Sequence, residues 1–165
     1  MASVMPRILI ADDSEFLRTH LRESIQRPGW VVCGEAANGR QAVLMANELK
    51  PDVIVLDFAM PMLNGIEAAR EILKAMPSVP IVLYTLHKNS QLELDAHSIG
   101  ISRVISKGED FNLLITSLRE LFAAHTTPLG PLGLDADSAA ELPTVPDSAV
   151  DLQTNTPRKP GVPER

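Results

Sequence analysis

The chain has 165 residues, of which 45% are apolar, and this is enough apolar material for one well-packed domain of ordinary size. Its formal net charge of -6 gives neither nucleic acid nor an anionic membrane a general electrostatic reason to bind, so we expect no nucleic-acid or membrane partner. No stretch approaches the ~20 apolar residues of a membrane span, and the first residues lack a signal-peptide pattern. We therefore expect a cytoplasmic protein.

The composition changes near residue 126. Seven of the thirteen prolines lie in residues 126–165, which contain no aromatic residue and little sustained periodicity. A segment of this composition buries too little apolar surface to offset the entropy that folding costs. The sequence thus predicts a domain over residues 1–125, followed by a disordered, proline-rich tail over residues 126–165.

Short apolar runs alternate with amphipathic helical patterns through residues 1–125, which is typical of a parallel sheet covered by helices on both faces. Five strand–helix pairs are predicted, with strands at Arg7–Ala11, Val31–Glu35, Val53–Asp57, Ile81–Tyr84 and Arg103–Ser106. The first, third and fourth strands are nearly continuous Ile, Val and Leu, as interior parallel strands are. We place these three strands in the centre of the sheet and the other two at its edges.

Three of the predicted helices have clear apolar faces. In the first, Leu17, Leu21 and Ile25 recur at intervals of four residues, and the third and fifth helices carry longer stripes of the same kind. The two longer stripes are Ile66, Ala69, Leu73 and Met76, and then Phe111, Leu114, Ile115, Leu118, Leu121 and Phe122. Each face can cover one side of the sheet.

Polar residues stand at the carboxyl ends of four predicted strands. Asp12 and Asp13 follow the first strand, Asp57 ends the third, Thr85 follows the fourth and Lys107 follows the fifth. Ligands of open parallel sheets bind beyond the carboxyl ends of the strands, so these side chains should converge. Three crowded carboxylates repel one another unless a divalent cation lies among them. Oxygen ligands without His or Cys favour Mg²⁺ in such an open site.

This pattern predicts phosphoryl transfer to a carboxylate. Asp57 is a nucleophile beside a cation that can neutralise an incoming phosphoryl group, while Thr85 and Lys107 can hold the phosphoryl oxygens. Each residue alone has an ordinary structural explanation, such as helix capping by Asp13 or Ser14. Their occurrence in order at the ends of four strands favours a functional site.

The segments that carry these residues resemble the response regulator receiver domains of two-component signal transduction. The segments are Ile8–Ser14, Val53–Gly65, Val82–Thr85 and Val104–Lys107. The block from Asp57 through Met60-Pro61 to Asn64-Gly65 is the most discriminating part. The resemblance implies a single-domain receiver with a flavodoxin-like, doubly wound five-stranded parallel sheet of strand order 2-1-3-4-5, and five helices.

The resemblance also implies the roles of the site residues. Asp57 would be the phosphoacceptor, and Asp12 and Asp13 would bind Mg²⁺ together with it. The Ala59 backbone carbonyl would complete the metal site, and the Thr and Lys at the ends of the fourth and fifth strands would contact the phosphoryl group. The donor would be a histidine kinase or a histidine phosphotransfer protein, and the domain would be a switch rather than an enzyme, although it would assist its own phosphorylation and dephosphorylation.

We further expect phosphorylation to change a protein-interaction surface. A phosphoryl group adds nearly two negative charges to Asp57, and Lys107, Thr85 and the metal can move closer to them. A shift of Thr85 would move the start of the next helix, which is predicted at Lys88–Ile99. The surface formed by residues 86–106 would then change for an output protein.

Three residues depart from the family pattern, including Gly108 where a proline often follows the lysine, and the other two keep a second interpretation open. Val104 stands where an aromatic residue is common, and Leu86 is bulky at a position that is usually small. A second interpretation is therefore a degenerate receiver that binds partners without phosphorylation. A third is a Mg²⁺-dependent phosphatase of the haloacid-dehalogenase-like kind. The sequence disfavours this third class, because Asp12-Asp13 lead directly into a helix and no cap insertion follows.

Overall fold

The computed structural model describes residues 5–126, so the predicted tail, except Thr126, lies outside the described residues. The described residues form five parallel strands and five helices that alternate along the chain. The strands are β1 (Arg7–Ala11), β2 (Val31–Ala36), β3 (Val53–Leu56), β4 (Ile81–Thr85) and β5 (Arg103–Ser106). The helices are α1 (Glu15–Gln26), α2 (Gly39–Leu49), α3 (Gly65–Ala75), α4 (Ser90–Ile99) and α5 (Phe111–Thr126). Over residues 5–126, no helix has both the length and the apolar character that crossing a membrane requires.

The strand order is β2-β1-β3-β4-β5, which confirms the predicted fold and the central position of three strands. Every residue of β3 and β4 is buried, as is every residue of β1 except Arg7. Alternate residues of these strands enter two separate cores. Leu9 and Ile54 belong to the core that includes residues of α2, α3 and α4, whereas Ile8 and Val55 belong to the core that includes residues of α1 and α5. Each fully buried side chain of this size contributes about 1.5–3 kcal/mol.

Three strand ends differ by one residue from the prediction. β2 extends through Ala36, which pairs with Ala11 of β1. β3 ends before Asp57, because the Phe58 amide donates to the Asp57 side chain and the chain turns there. β4 includes Thr85, because this residue still pairs with Ser106 of β5. The polar residues at the carboxyl ends of the strands nevertheless lie on the side of the sheet where the sequence places them.

Helix ends are set by side-chain caps that the apolar pattern does not reveal. The fourth helix was predicted from Lys88 but begins at Ser90, because the Asn89 side chain accepts a hydrogen bond from the Leu92 amide. Met76, which was placed in the stripe of the third helix, lies just beyond α3 with non-helical backbone angles. Its side chain still packs against the core.

The close approach of α3 to β3 depends on Gly65. The Gly65 amide donates to the Phe58 carbonyl oxygen over 2.8 Å. A Cβ atom at position 65 would overlap the backbone carbonyl oxygen of Asp57. A larger residue therefore fits only if the backbone that carries Asp57 moves.

We predict that Gly65→Ala lowers the free energy of unfolding by about 1–3 kcal/mol, because an overpacked site must shift its backbone. Gly108→Ala is the matched control, since a Cβ at that position would meet only the Ser106 hydroxyl oxygen, at 3.6 Å. Chemical denaturation of both variants measures the difference. Equal free energies of unfolding for the two variants would contradict the close approach of α3 to β3.

Candidate functional site

Three carboxylates meet where the strand order reverses between β1 and β3. Asp12 and Asp13 follow β1, and Asp57 follows β3; their carboxylate oxygens lie within 4.8 Å of one another. The pairing of β1 with β3 causes this convergence, because the Asp57 amide donates to the Ala11 carbonyl oxygen over 2.8 Å. Asp12 is 1% exposed and Asp57 is 4% exposed, whereas Asp13 lies on the surface.

Lys107 brings a positive charge to two of these acids. Its ammonium nitrogen lies 2.6 Å from Oδ2 of Asp12 and 3.3 Å from Oδ1 of Asp57. The Lys107 amide donates to the Thr85 carbonyl oxygen over 2.9 Å, so the pairing of β5 with β4 positions the lysine. Four of the predicted site residues are therefore assembled at one point.

Hydrogen bonds hold two of the acids but not the third. Oδ1 of Asp12 accepts from the Ser14 amide, and Oδ1 of Asp57 accepts from the Phe58 amide, each over 2.8 Å. Within residues 5–126, no group donates a hydrogen bond to the Asp13 carboxylate. The Asp13 carboxylate oxygens are thus not engaged by any of the described residues.

Thr85 takes a different position from the other predicted residues. It is fully buried, and its hydroxyl oxygen accepts from the His87 amide over 3.1 Å. The cleft above the acids, about 460 Å³ in volume, is lined by Asp12, Asp13, Ser14, Phe16, Leu17, Asp57, Ala59, Leu86, His87 and Lys107. Thr85 is not among the residues that line this cleft.

The electrostatics of the site favour a divalent cation. Burial raises the pKa of Asp57 above its ordinary value, the charge of Lys107 opposes this rise, and the charge of Asp12 adds to it. Three carboxylates and one ammonium leave a formal charge of -2 at the cluster. The donors are all oxygen atoms, which is the set that Mg²⁺ prefers. The residues present therefore fit a Mg²⁺ ion.

Sequence reasoning missed one contact of the site. The Arg18 guanidinium, on α1, donates to the backbone carbonyl oxygen of Asp12 over 2.6 Å. An arginine on the second turn of an amphipathic helix is a common residue, so the sequence offers no signal that distinguishes it. Its role depends on the position of α1 over the end of β1.

The strand order and the acid cluster at the switch point together define a flavodoxin-like α/β domain with a polar site at the carboxyl edge of its sheet. A family model for the response regulator receiver domain matches residues 8–119. The chain belongs to this family, as the sequence predicted.

Comparisons with individual proteins agree with the assignment of the chain to this family. The chain is similar to the chemotaxis protein CheY of Thermotoga maritima, with 40% identity over 101 residues that cover 61% of this chain and 84% of that protein. A crystal structure of a LuxR-family two-component response regulator from Aurantimonas sp. has a TM-score of 0.70 and 32% identity, and the match covers 73% of this chain and 87% of that one.

A third relative is an enzyme, but the similarity covers only part of it. The protein-glutamate methylesterase/protein-glutamine glutaminase of Alkalilimnicola ehrlichii is 42% identical over 104 residues, which cover 61% of this chain and 26% of that protein. Because the chain spans about a quarter of this relative, the match does not extend the enzyme's activity to this chain. The described domain is of the signalling type found in CheY.

We predict that Asp57→Asn stabilises the fold near neutral pH when Mg²⁺ is chelated. The pKa of Asp57 is raised in the folded state, so its contribution to stability is present below the pKa of an unfolded Asp and is lost as the pH rises through the folded-state pKa. Asparagine removes the buried charge, and we expect a gain of about 1–2 kcal/mol. Urea denaturation at several pH values should show this gain shrinking as the pH falls into the range where Asp57 is protonated.

The exposed Asp95 supplies the control for this experiment, because Asp95→Asn removes one acid without removing a buried charge. A gain of the same size in both variants, or a gain for Asp57→Asn that persists at acidic pH, would contradict the argument from burial.

Proposed function

We propose that this domain accepts a phosphoryl group on Asp57 from a histidine kinase or a histidine phosphotransfer protein and thereby changes a protein-interaction surface. The main support is the cluster of Asp12, Asp13, Asp57 and Lys107 at the switch point of a receiver fold. A buried carboxylate beside a cation site and a fixed ammonium is the arrangement that phosphoryl transfer to an acid requires.

A Mg²⁺ ion would be held by Asp12, Asp13, Asp57 and the backbone carbonyl of Ala59, which lines the same cleft. When bound, the ion would neutralise charge on the transferring phosphoryl group. Lys107, which follows β5, would add a second positive charge beside Asp57.

The hydrogen bonds of Asp57 indicate which of its oxygens reacts. Oδ1 is engaged by the Phe58 amide and lies 3.3 Å from the Lys107 ammonium, whereas Oδ2 accepts no hydrogen bond from the described residues. We therefore assign the attack on phosphorus to Oδ2. In that step the new O–P bond forms, the N–P bond of a phosphohistidine breaks, and the donor imidazole takes the electron pair.

The walls of the cleft favour a protein as the phosphoryl donor. Phe16 is 84% exposed and Leu86 is 71% exposed, and both line the cleft that leads to Asp57. Exposed apolar side chains at such a position are typical of a surface that a protein partner covers. We therefore assign Leu86 to the surface that contacts the donor protein, although its bulk narrows the path by which a donor reaches Asp57.

The proposed output surface lies between α4 and β5. A groove of about 540 Å³ is lined by Ser90, Glu93, Leu94, His97, Ile101, Ser102, Arg103 and Val104. Thr85 connects this region to the site, because the residues directly after it line the cleft and lead into α4. A movement of the Thr85 hydroxyl toward a phosphoryl group would shift that connection and so reshape the groove.

We predict that acetyl phosphate with Mg²⁺ adds one phosphoryl group to the chain and that Asp57→Asn abolishes the addition. Asp95→Asn, which changes an exposed acid on α4, should be phosphorylated like the wild type. Intact-protein mass spectrometry with and without Mg²⁺ measures both results.

Each alternative function predicts a different result, one in this experiment and one in a phosphatase assay. A wild-type chain that gains no mass would contradict phosphoacceptance and favour a binding scaffold. Catalytic release of phosphate from small phosphate esters would instead favour an aspartyl-phosphate phosphatase.

We predict that phosphorylation shifts the amide resonances of residues 86–106 and that Thr85→Ala reduces these shifts while the mass increase remains. The physical reason is that the Thr85 hydroxyl supplies the link between the phosphoryl group and α4. Thr116→Ala is the control, since Thr116 is an exposed residue of α5. Unchanged spectra over 86–106 in the phosphorylated wild type would rule out this output surface.

A further inference from the structure

Arg18 connects the acid pair to a group of charges on the edge of the sheet. Its guanidinium donates to the Asp12 carbonyl oxygen over 2.6 Å, and its side chain is 15% exposed. Nε of Arg18 lies 3.8 Å from Oε2 of Glu35, a residue of β2. The other carboxylate oxygen of Glu35 accepts from Arg22 over 2.5 Å. Glu35 thus holds two arginines of α1 against the edge strand.

A contact to the Asp12 carbonyl oxygen can affect how Asp13 is oriented. This carbonyl shares a rigid peptide plane with the Asp13 amide, so its orientation determines the direction in which the Asp13 residue leaves the strand. No described residue donates a hydrogen bond to the Asp13 carboxylate itself. The direction of the Asp13 side chain is therefore set by its backbone and by its own rotamer.

We propose that Arg18 is a positioning residue for the metal site: it orients the Asp12–Asp13 peptide so that the Asp13 carboxylate faces Asp12 and Asp57, and Glu35 holds Arg18 in place. This proposal rests on the proposed function, since it concerns the same site. Arg18 contacts a backbone oxygen rather than the metal or the phosphoryl group, so it acts through Asp13.

The charges of the group fit this role. A guanidinium near a cation site would repel the cation, but the carboxylate of Glu35 lies beside it and offsets part of its charge. A hydrogen bond from a charged donor in a partly buried place is stronger than a neutral one. By contrast, Arg40 and Glu71 form a surface pair at 3.4 Å with no contact to the site, and such pairs contribute little.

The test is a titration of the unphosphorylated full chain with Mg²⁺ alone, followed by the amide resonances of the acid cluster. In Arg18→Met the unbranched stem is kept but the donor is lost, and we expect Mg²⁺ to bind about tenfold more weakly, as when other supporting contacts of metal ligands are removed. Glu35→Gln should weaken binding less, because the amide oxygen still accepts from the arginines. Arg18→Lys should restore part of the affinity, because its ammonium can reach one acceptor at a time.

Arg40→Met is the matched control and should bind Mg²⁺ like the wild type, and the thermal midpoint of every variant is recorded. Unchanged Mg²⁺ affinity in Arg18→Met, whether or not its midpoint falls, would overturn the positioning role. A wild-type chain that binds no Mg²⁺ would instead overturn the metal site of the proposed function, and this inference with it.

Discussion

The mutual repulsion of three carboxylates within 4.8 Å is the interaction on which the site depends. Two of these acids are buried, and a buried negative charge must be compensated or it destabilises the fold. Lys107 compensates part of it by contacting Asp12 and Asp57 together. The remaining negative charge is of the kind that a divalent cation would balance, and burial, with a smaller contribution from the charge of Asp12, raises the pKa of Asp57.

The fold holds these charges together by restricting the backbone around them. Parallel pairing of β1 with β3 aligns the carboxyl ends of both strands, and α3 packs so closely behind that position 65 has room for glycine alone. Side-chain caps at Ser14 and Asn64 start α1 and α3 directly after the acidic loops. These caps fix where the two helices begin and so limit how far the backbone that carries the acids can shift.

Sequence periodicity was sufficient for the fold because both faces of the sheet are buried. Continuous apolar runs identified the three central strands, and β1 and β5 have the predicted bounds. The ends of several other elements differ from the prediction, because they depend on individual hydrogen bonds such as the one from the Phe58 amide to the Asp57 side chain. In the site, the order of acids and lysine along the chain predicted their convergence. The burial of Thr85 and the contact from Arg18 depend on distances between elements, which no local pattern encodes.

The unequal support of the three acids would let one cluster serve both metal binding and switching in the proposed function. Asp12 and Asp57 are fixed by amides and by Lys107, so they keep the charge in place before any ligand arrives. Asp13 is exposed and accepts no hydrogen bond from the described residues, so a cation would gain a ligand there without breaking an existing bond. A phosphoryl group on Asp57 would compete for Lys107, whose amide is bonded to the Thr85 carbonyl. The same lysine therefore links charge at Asp57 to the strand that leads into α4.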